Sequence, residues 1–209
     1  SSQITLERDG TNYLQFLTAN TGTSGLLFGD TADVDVAKIV YDHNVPNMVF
    51  TTEAVTTMNI DGSTGAITAP LQPAFLAHPA SQQANIAIDT PVTIVLGTEI
   101  FDQGADFATN TFTAPVTGKY QFSMNLRLDS MDSAANFYQL GIITSNRTYY
   151  IVTMDPGQLA GDPDYWGITA SVLADMDASD TAYFTIKQSS GSVQTDIDTN
   201  SFFSGFLAC

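Results

Sequence analysis

The stretch that decides the fold is "FTAPVTGKYQFSMNLRL", residues 112–128. From Lys119 to Leu128 polar and apolar residues alternate strictly, which is the period of a β-strand with one buried face. The apolar positions are Tyr120, Phe122, Met124, Leu126 and Leu128, and the polar ones are Lys119, Gln121, Ser123, Asn125 and Arg127. We predict a strand whose apolar face lies in a core and whose polar face meets solvent or a neighbouring subunit.

Strand patterns continue on both sides of this stretch. Several are apolar at successive positions and are bounded by Gly and Pro turns, as in a jelly-roll sandwich. They read "VTIVLG", "NFYQLGIIT", "RTYYIVTM", "YWGITASVLADM", "TAYFTIKQ" and "SFFSGFLA". We therefore predict an all-β fold for residues 71–209.

Residues 1–70 form a second region, which ends near "STGAITAPLQP". Short strand-like segments follow one another there every 8 to 12 residues or so, as in a small β domain or a fibrous shaft. The segments are "ITLER", "NYLQFLTA", "GLLFGD", "AKIVYDH", "NMVFTTE" and "VTTMNID". Their apolar content is thin for an independent core, which favours an intertwined β shaft buried between chains.

The charge excludes two classes of partner. Six basic residues face 22 acidic ones, for a net charge of −16, and all but three of the acids are aspartates. Nucleic acids and anionic membranes attract clustered Lys and Arg, so we expect neither nucleic-acid binding nor membrane insertion. The chain opens with "SSQITLERDG", which does not read as a signal peptide, and we expect a fragment of a longer protein. The single cysteine, Cys209, forms no disulfide within the chain.

Three ordered segments resemble the globular heads of the C1q and tumour-necrosis-factor-like family. They are "PAFLA" from Pro73, "FTAPVTGKYQF" from Phe112 and "SFFSGFL" from Ser201. The resemblance implies a ten-strand jelly roll, a tight homotrimer and a binding module without catalysis. It departs at Ser179-Asp180, where the family usually has Gly-Asp, so the geometry of that turn is an open question.

Residues 12–67 resemble a segment of bacteriophage tail fibres and tailspikes. The parts that carry this resemblance are "GLLFGD", "KIVYDH", "NMVFTT" and "MNIDGSTG". The resemblance implies a trimeric β element near the end of a fibre, attached to the rest of the fibre in an extracellular virion structure.

Aromatic residues in two segments make the candidate ligand surface, which we expect at the loop end of the jelly roll. Aromatic faces bind the apolar side of a sugar ring, and Asp or Arg side chains bind its hydroxyl groups; rigid aromatics are also common at protein interfaces. The alternative places Trp166 and Tyr149 in the core or a trimer contact and leaves Tyr150 and Tyr165 at the surface. The candidates are Arg147, Tyr149, Tyr150, Asp162, Asp164, Tyr165 and Trp166.

Asp162 and Asp164 also have a catalytic interpretation. Glycosidases place two carboxylates across the scissile bond, whereas two acids this close in one loop favour a solvated turn with Pro163 at its corner. We find no G-x-S-x-G motif, phosphate-binding loop or metalloprotease motif. We expect no enzyme activity.

Metal binding has two candidate places. Asp175, Asp177 and Asp180 in "DMDASD" offer the hard oxygen ligands that calcium prefers, but without the central Gly and final Glu of an EF-hand; a solvated acidic turn is the alternative. His43 is either a metal ligand on a three-fold axis or a hydrogen-bonded turn residue. Calcium is the one cofactor the sequence suggests.

Three functions follow from these observations. The first is a trimeric receptor-binding tip that recognises a host cell-surface glycan or protein, with three weak sites acting together. The second is a structural cap that trimerises the fibre, with adhesion elsewhere. The third is a polysaccharide depolymerase.

Overall fold

The computed structural model describes residues 4–209, which form two compact units divided between Leu71 and Gln72. The sequence predicts the division one residue earlier. Regular structure in the described residues is β-strand apart from one 3-10 turn at Pro156–Gln158. Among these residues no helix has the length and apolar character needed to cross a membrane.

The first unit contains a five-stranded antiparallel meander in which each strand pairs with the next along the chain. Its strands are β1 (Thr23–Phe28), β2 (Ala37–Asp42), β3 (Asn47–Thr52), β4 (Val55–Asp61) and β5 (Ile67–Thr68).

Aspartates close two turns of this meander. The Asp42 carboxylate accepts the amides of Asn44 and Val45 after β2, and the Asp61 carboxylate accepts those of Ser63 and Thr64 after β4. The hydroxyl groups and amides of Ser63 and Thr64 lower the pKa of Asp61 to about 2. The abundance of Asp over Glu is explained here, because the shorter side chain reaches the backbone two or three residues ahead.

Two of the predicted strands in this unit are wrong. "ITLER" and "NYLQFLTA" lie in irregular chain between residues 4 and 19, with Ile4, Tyr13 and Leu17 each more than 80% exposed. A strand is stable only when a neighbour pairs with its backbone, and no strand of the described chain forms a ladder with these segments.

The second unit is a sandwich of two antiparallel sheets, each with five strands along its main path. One sheet has the order β13-β12-β15-β10-β9 and the other β14-β11-β17-β6-β8; short β7 pairs with β15, and short β16 with β11. The strands are β6 (Ala74–His78), β7 (Val92–Thr93), β8 (Thr98–Gln103), β9 (Phe107–Ala108), β10 (Thr111–Thr113), β11 (Gly118–Asp129), β12 (Phe137–Thr144), β13 (Thr148–Met154), β14 (Tyr165–Met176), β15 (Thr181–Ser189), β16 (Asp196–Ile197) and β17 (Phe202–Leu207). The all-β jelly roll predicted from the sequence is confirmed.

The long strand β11 organises the core, as its alternation predicts. Its five apolar positions are fully buried, while Lys119 and Asn125 are exposed. Rings from four strands pack around Phe122, and the buried Tyr120 hydroxyl donates to the carbonyl oxygen of Val116 at 2.7 Å. The aromatic cluster is Phe75, Phe107, Phe112, Tyr120, Phe122, Phe184 and Phe203. Offset and edge-on ring contacts of this kind add to the burial of apolar area.

One strand prediction in this unit is partly wrong. Only Val92 and Thr93 of "VTIVLG" are a strand, although Ile94 and Leu96 are buried. The Leu96 amide donates to the side chain of Asn110 rather than to a neighbouring strand. A short apolar run predicts burial more securely than it predicts pairing.

Candidate functional site

The predicted ligand residues fall at two opposite ends of strand β14. Arg147 precedes β13 and binds Asp175 at the end of β14, with 3.0 Å between Nη2 and Oδ2. The Tyr149 hydroxyl donates to Oδ1 of the same Asp175 at 3.3 Å. Tyr149 is partly buried and packs against the core, as the alternative interpretation of the sequence expects.

The other two predicted calcium ligands lie in the same region. Oδ2 of Asp180 accepts hydrogen bonds from the Asn146 side chain at 2.7 Å and from the Asp177 amide at 2.8 Å. Oδ1 of Asp177 accepts the Thr117 hydroxyl at 3.5 Å. Among residues 4–209 no three His, Cys, Asp or Glu side chains form a group able to hold a metal ion.

Each of these aspartates thus has partners within the chain, while the calcium interpretation stays a prediction. Thermal unfolding with and without a calcium chelator tests it.

The two histidines have local contacts. In the first unit, His43 Nε2 lies 3.5 Å from the Ser24 hydroxyl, and its ring meets Tyr41 edge-on. In the second, His78 Nδ1 lies 2.9 Å from the carbonyl oxygen of Pro79. Both geometries are those of hydrogen-bonded structural histidines, and the axial metal site at His43 stays a prediction.

Asp162 lies at the opposite end of β14, where it joins two loops. Its Oδ1 accepts the amide and the hydroxyl of Ser133 at 2.8 and 2.6 Å, and its Oδ2 accepts the Gln194 side chain at 2.9 Å. The Ser133 hydrogen bonds, followed by that of Gln194, lower the pKa of Asp162 to about 2. A carboxyl with this pKa is ionised near neutral pH and holds no proton for a leaving group, which argues against Asp162 as the general acid of a pair with Asp164.

Tyr165 begins β14 at this same end and is 65% exposed. The Arg127 guanidinium lies over its ring at 4.4 Å from the centroid. Arg127 also forms ion pairs with Asp129 and Asp198, at 3.0 and 3.6 Å from Nε. The neighbouring Trp166 is partly buried against the core, in agreement with the alternative interpretation.

The structure does not place these candidates on one surface, and ligand binding by them stays a prediction. Tyr165 and Asp175 are ten residues apart on the single strand β14, which places them about 33 Å from each other at the rise of a β-strand. Arg147 and Tyr149 belong to the Asp175 end, and Asp162, Asp164 and Trp166 to the Tyr165 end. The sequence spacing concealed this separation, because β13 and the loop after it carry the chain from one end to the other.

Tyr150 forms a third feature, on the outer face of the sheet that contains β12 and β13. Tyr150 pairs with Gly141 across these strands, and a side-chain carbon built on Gly141 would lie 3.2 Å from the Tyr150 ring. The ring therefore lies against the glycine backbone, yet 63% of the residue is exposed. Two pairs further along, the Gln139 side chain donates to the Thr153 hydroxyl at 3.1 Å.

Lys187 lies on the other side of Gln139, since the two pair between β12 and β15. Its ammonium group sits 5.6 Å from the centroid of the Phe137 ring. These residues form a surface with one exposed aromatic ring, an amide, hydroxyl groups and a cation. Sequence reasoning missed the contribution of Gly141, Gln139 and Lys187; the lone glycine within an otherwise apolar strand was the signal.

The chain is similar to known proteins in sequence pattern and in fold. The family model described as "C1q domain" matches residues 74–208. Among solved structures, the globular domain of zebrafish complement 1qA protein is 16% identical, with 66% of this chain and 98% of that chain covered and a TM-score of 0.49. Murine APRIL at pH 8.5 is 8% identical, with 65% and 98% covered and a TM-score of 0.46.

A search of curated proteins gives no match. The C1q model, however, spans well over half of the chain and includes every strand of the second unit. This chain belongs to the C1q domain family.

Proposed function

We propose that this chain is the receptor-binding tip of a phage or phage-like tail fibre, a homotrimeric adhesin that recognises a glycan on the host cell surface. C1q/TNF-like domains are typically trimeric and ligand-binding, generally non-enzymatic and often extracellular. The assignment to a fibre and to a virion goes beyond what membership of this family supports. It is supported by the motifs of residues 12–67 and by the small meander that precedes the head in the chain.

The observation that carries ligand binding is the exposed Tyr150 ring on a rigid sheet. An aromatic ring that stacks against a sugar must keep its orientation when no ligand is bound. Contact with Gly141 and the ladder between β12 and β13 hold this ring in place. Gln139 and Thr153 lie two pairs away and supply hydrogen-bonding groups for sugar hydroxyls.

The ionised state of Asp162, the best candidate for a catalytic acid, disfavours a depolymerase. Asp162 is ionised and saturated with three hydrogen bonds, and its role in joining two loops explains why it is present. A structural cap is the second function to test, because the first unit has uncovered apolar side chains that suit assembly rather than adhesion.

The direct test is binding of the intact trimer to a glycan array and to host cells, with calcium or with chelator. We expect Tyr150→Ala to weaken binding by about tenfold per site, the equivalent of roughly 1.4 kcal/mol. Three linked sites amplify this loss. Tyr165→Ala is the matched control, since its ring is equally exposed but lies at the end of β14.

Each outcome has a distinct meaning. Loss of binding in Tyr150→Ala alone supports the platform, and loss in Tyr165→Ala alone moves the site to the other end of the head. Absence of binding to any host surface favours the cap, and release of oligosaccharides from host polysaccharide would support the depolymerase.

A further inference from the structure

The five-stranded meander has one face made almost entirely of apolar side chains. Cross-strand pairs place them side by side, because residues directly opposite each other share a face. Leu26 pairs with Ile39, Ile39 with Phe50 and Phe50 with Met58. The full face, here called the apolar face, is Leu26, Phe28, Ile39, Tyr41, Met48, Phe50, Met58, Ile60 and Ile67.

Little of the described chain covers this face. Thr51 is the sole buried residue among residues 4–71, while Phe28 and Ile67 are 51% and 67% exposed. Phe16 borders a groove on the face together with Leu26 and Met48, and so reaches one part of it. A contiguous apolar surface of this kind is rare on a soluble monomer and marks an interface.

The opposite face of the same sheet has a different chemistry. It mixes charged and polar side chains, among them Lys38, Asp42 and Asn59, with the apolar Leu27, Val40 and Val49; Lys38 also pairs with Asp35 at 3.2 Å. The apolar face, by contrast, contains no charged residue. Copies of a chain with net charge −16 repel one another, and an uncharged surface is where they can approach most easily.

The short connection between the two units limits how far the meanders of different copies can separate in a trimer. Five residues, 69–73, join β5 to β6, and a fully extended connection of this length spans at most about 20 Å. In a trimer held by three C1q-type heads, the three meanders are tethered at short range. Short tethers give millimolar effective concentrations, so a modest apolar contact is enough for association.

We infer that the apolar face packs against the same face of two other copies of this chain, which makes residues 23–68 a second trimerisation element besides the head. The inference rests on the homotrimer of the proposed function. Its new content is the specific face, its independence from the head contact, and the prediction that the opposite face stays open.

Adjacent residues of β2 provide the test. Ile39 lies at the centre of the apolar face, and Val40 points to the opposite face; both are half-buried in a single chain. In a full-length Cys209→Ser background, Ile39→Cys and Val40→Cys each introduce one thiol. The rate of maleimide labelling is measured by mass spectrometry, and the mass of the same sample by analytical ultracentrifugation.

In the trimer we expect the Ile39→Cys thiol to react at least about tenfold more slowly than the Val40→Cys thiol, because labelling requires local opening. Equal rates in a trimeric sample would overturn the inference and leave the proposed function intact. A monomeric mass would overturn the trimer that both require. Slow labelling in a monomer would show that another part of the same chain covers the face, and would also overturn the inference.

A second pair of variants guards against local misfolding. Phe50→Asp places a charge on the apolar face and Val49→Asp places one on the opposite face of the same strand. We expect Phe50→Asp to raise the concentration at which the trimer dissociates by tenfold or more, which is a hundredfold change in the trimer dissociation constant, or about 2.7 kcal/mol per trimer. Val49→Asp, with circular dichroism as the check on folding, should change it much less; equal effects would contradict the inference.

Discussion

The amide of Ser179 donates a hydrogen bond to the carbonyl oxygen of Ala114 at 2.7 Å, while Ser179 itself has a φ of 75°. The Ala114 amide in turn donates to the carbonyl oxygen of Asp180 at 2.8 Å. This pair of bonds holds the turn before β15 in a left-handed conformation that favours glycine. The turn thus keeps a geometry suited to the Gly-Asp of related heads, although a serine occupies the strained position.

Replacement of Ser179 by glycine is therefore expected to stabilise the head. Relief of the left-handed strain is worth about 1–2 kcal/mol, and the extra freedom of glycine in the unfolded chain removes about 0.4–1 kcal/mol of that gain. Chemical denaturation should show a net increase of roughly 0.5–1 kcal/mol in the free energy of unfolding. Ser171→Gly in the middle of β14 is the control and should destabilise; a loss of stability in Ser179→Gly would refute the strain argument.

Gly205 is predicted to be intolerant of a side chain. It lies in the closing strand β17, and a Cβ there would stand 2.6 Å from Phe122 and 2.7 Å from Phe75. Packed core rings do not yield without cost, so Gly205→Ala should lower the free energy of unfolding by about 1–3 kcal/mol. Gly167→Ala has open space around its Cβ and should cost nothing, and thermal melts of the two variants check the difference.

Asp162 predicts a loss of stability in acid. Its pKa in the folded protein, about 2, is below the ordinary value of 3.8, so its contribution is fully present above pH 4 and is lost as the pH falls towards 2. Asp162→Asn should lower the melting temperature at pH 7 and cause little change near pH 2. Asp164→Asn in the same loop is the control; a gap between wild type and Asp162→Asn that persists unchanged at pH 2 would contradict the assignment.

Asp106 predicts the reverse dependence. Burial, followed by the nearby Asp102 carboxylate, raises the pKa of Asp106 above its ordinary value. The folded state therefore prefers the protonated form, and stability is lost as the pH rises through that pKa. Asp106→Asn, which is permanently uncharged, should raise the melting temperature at pH 7 and give no gain at pH 3.

Asp102→Asn is the matched control for this prediction. The Asp102 carboxylate accepts the amides of Asp106 and Phe107 at 3.1 and 3.0 Å, so its replacement should destabilise the protein at pH 7. Equal responses in the two variants would show that simple charge removal, and not the local environment, dominates.

The sequence predicts the core of the head well, because strand periodicity is a local property that burial enforces. The alternation from Lys119 to Leu128 matches the exposure of β11 residue by residue, and "YWGITASVLADM" coincides with β14. Pairing is not local, and this explains the failures. "NYLQFLTA" has strand-forming residues without a partner strand among the described residues, and only Val92 and Thr93 of "VTIVLG" form a strand although Ile94 and Leu96 are buried.

Contacts within the candidate site also depend on strand pairing, and the sequence predicts them less well than it predicts the core. Nearness in sequence suggested that Arg147 and Tyr165 share a surface, but a strand and a loop that cross the sandwich separate them. The contact between Tyr165 and Arg127 joins residues 38 positions apart, so it depends on the register of β11 against β14. Prediction of such contacts requires the sheet order, which periodicity does not supply.

The position of β6 between β17 and β8 has a mechanical consequence. A force that reaches Ala74 through residues 69–73 and acts along the axis of β6 loads the ladders with β17 and β8 at the same time. The hydrogen bonds of both ladders then carry the load together in shear, whereas a strand peeled from an edge would break them one at a time. A force on this end of the head along β6 therefore meets a joint that resists rupture.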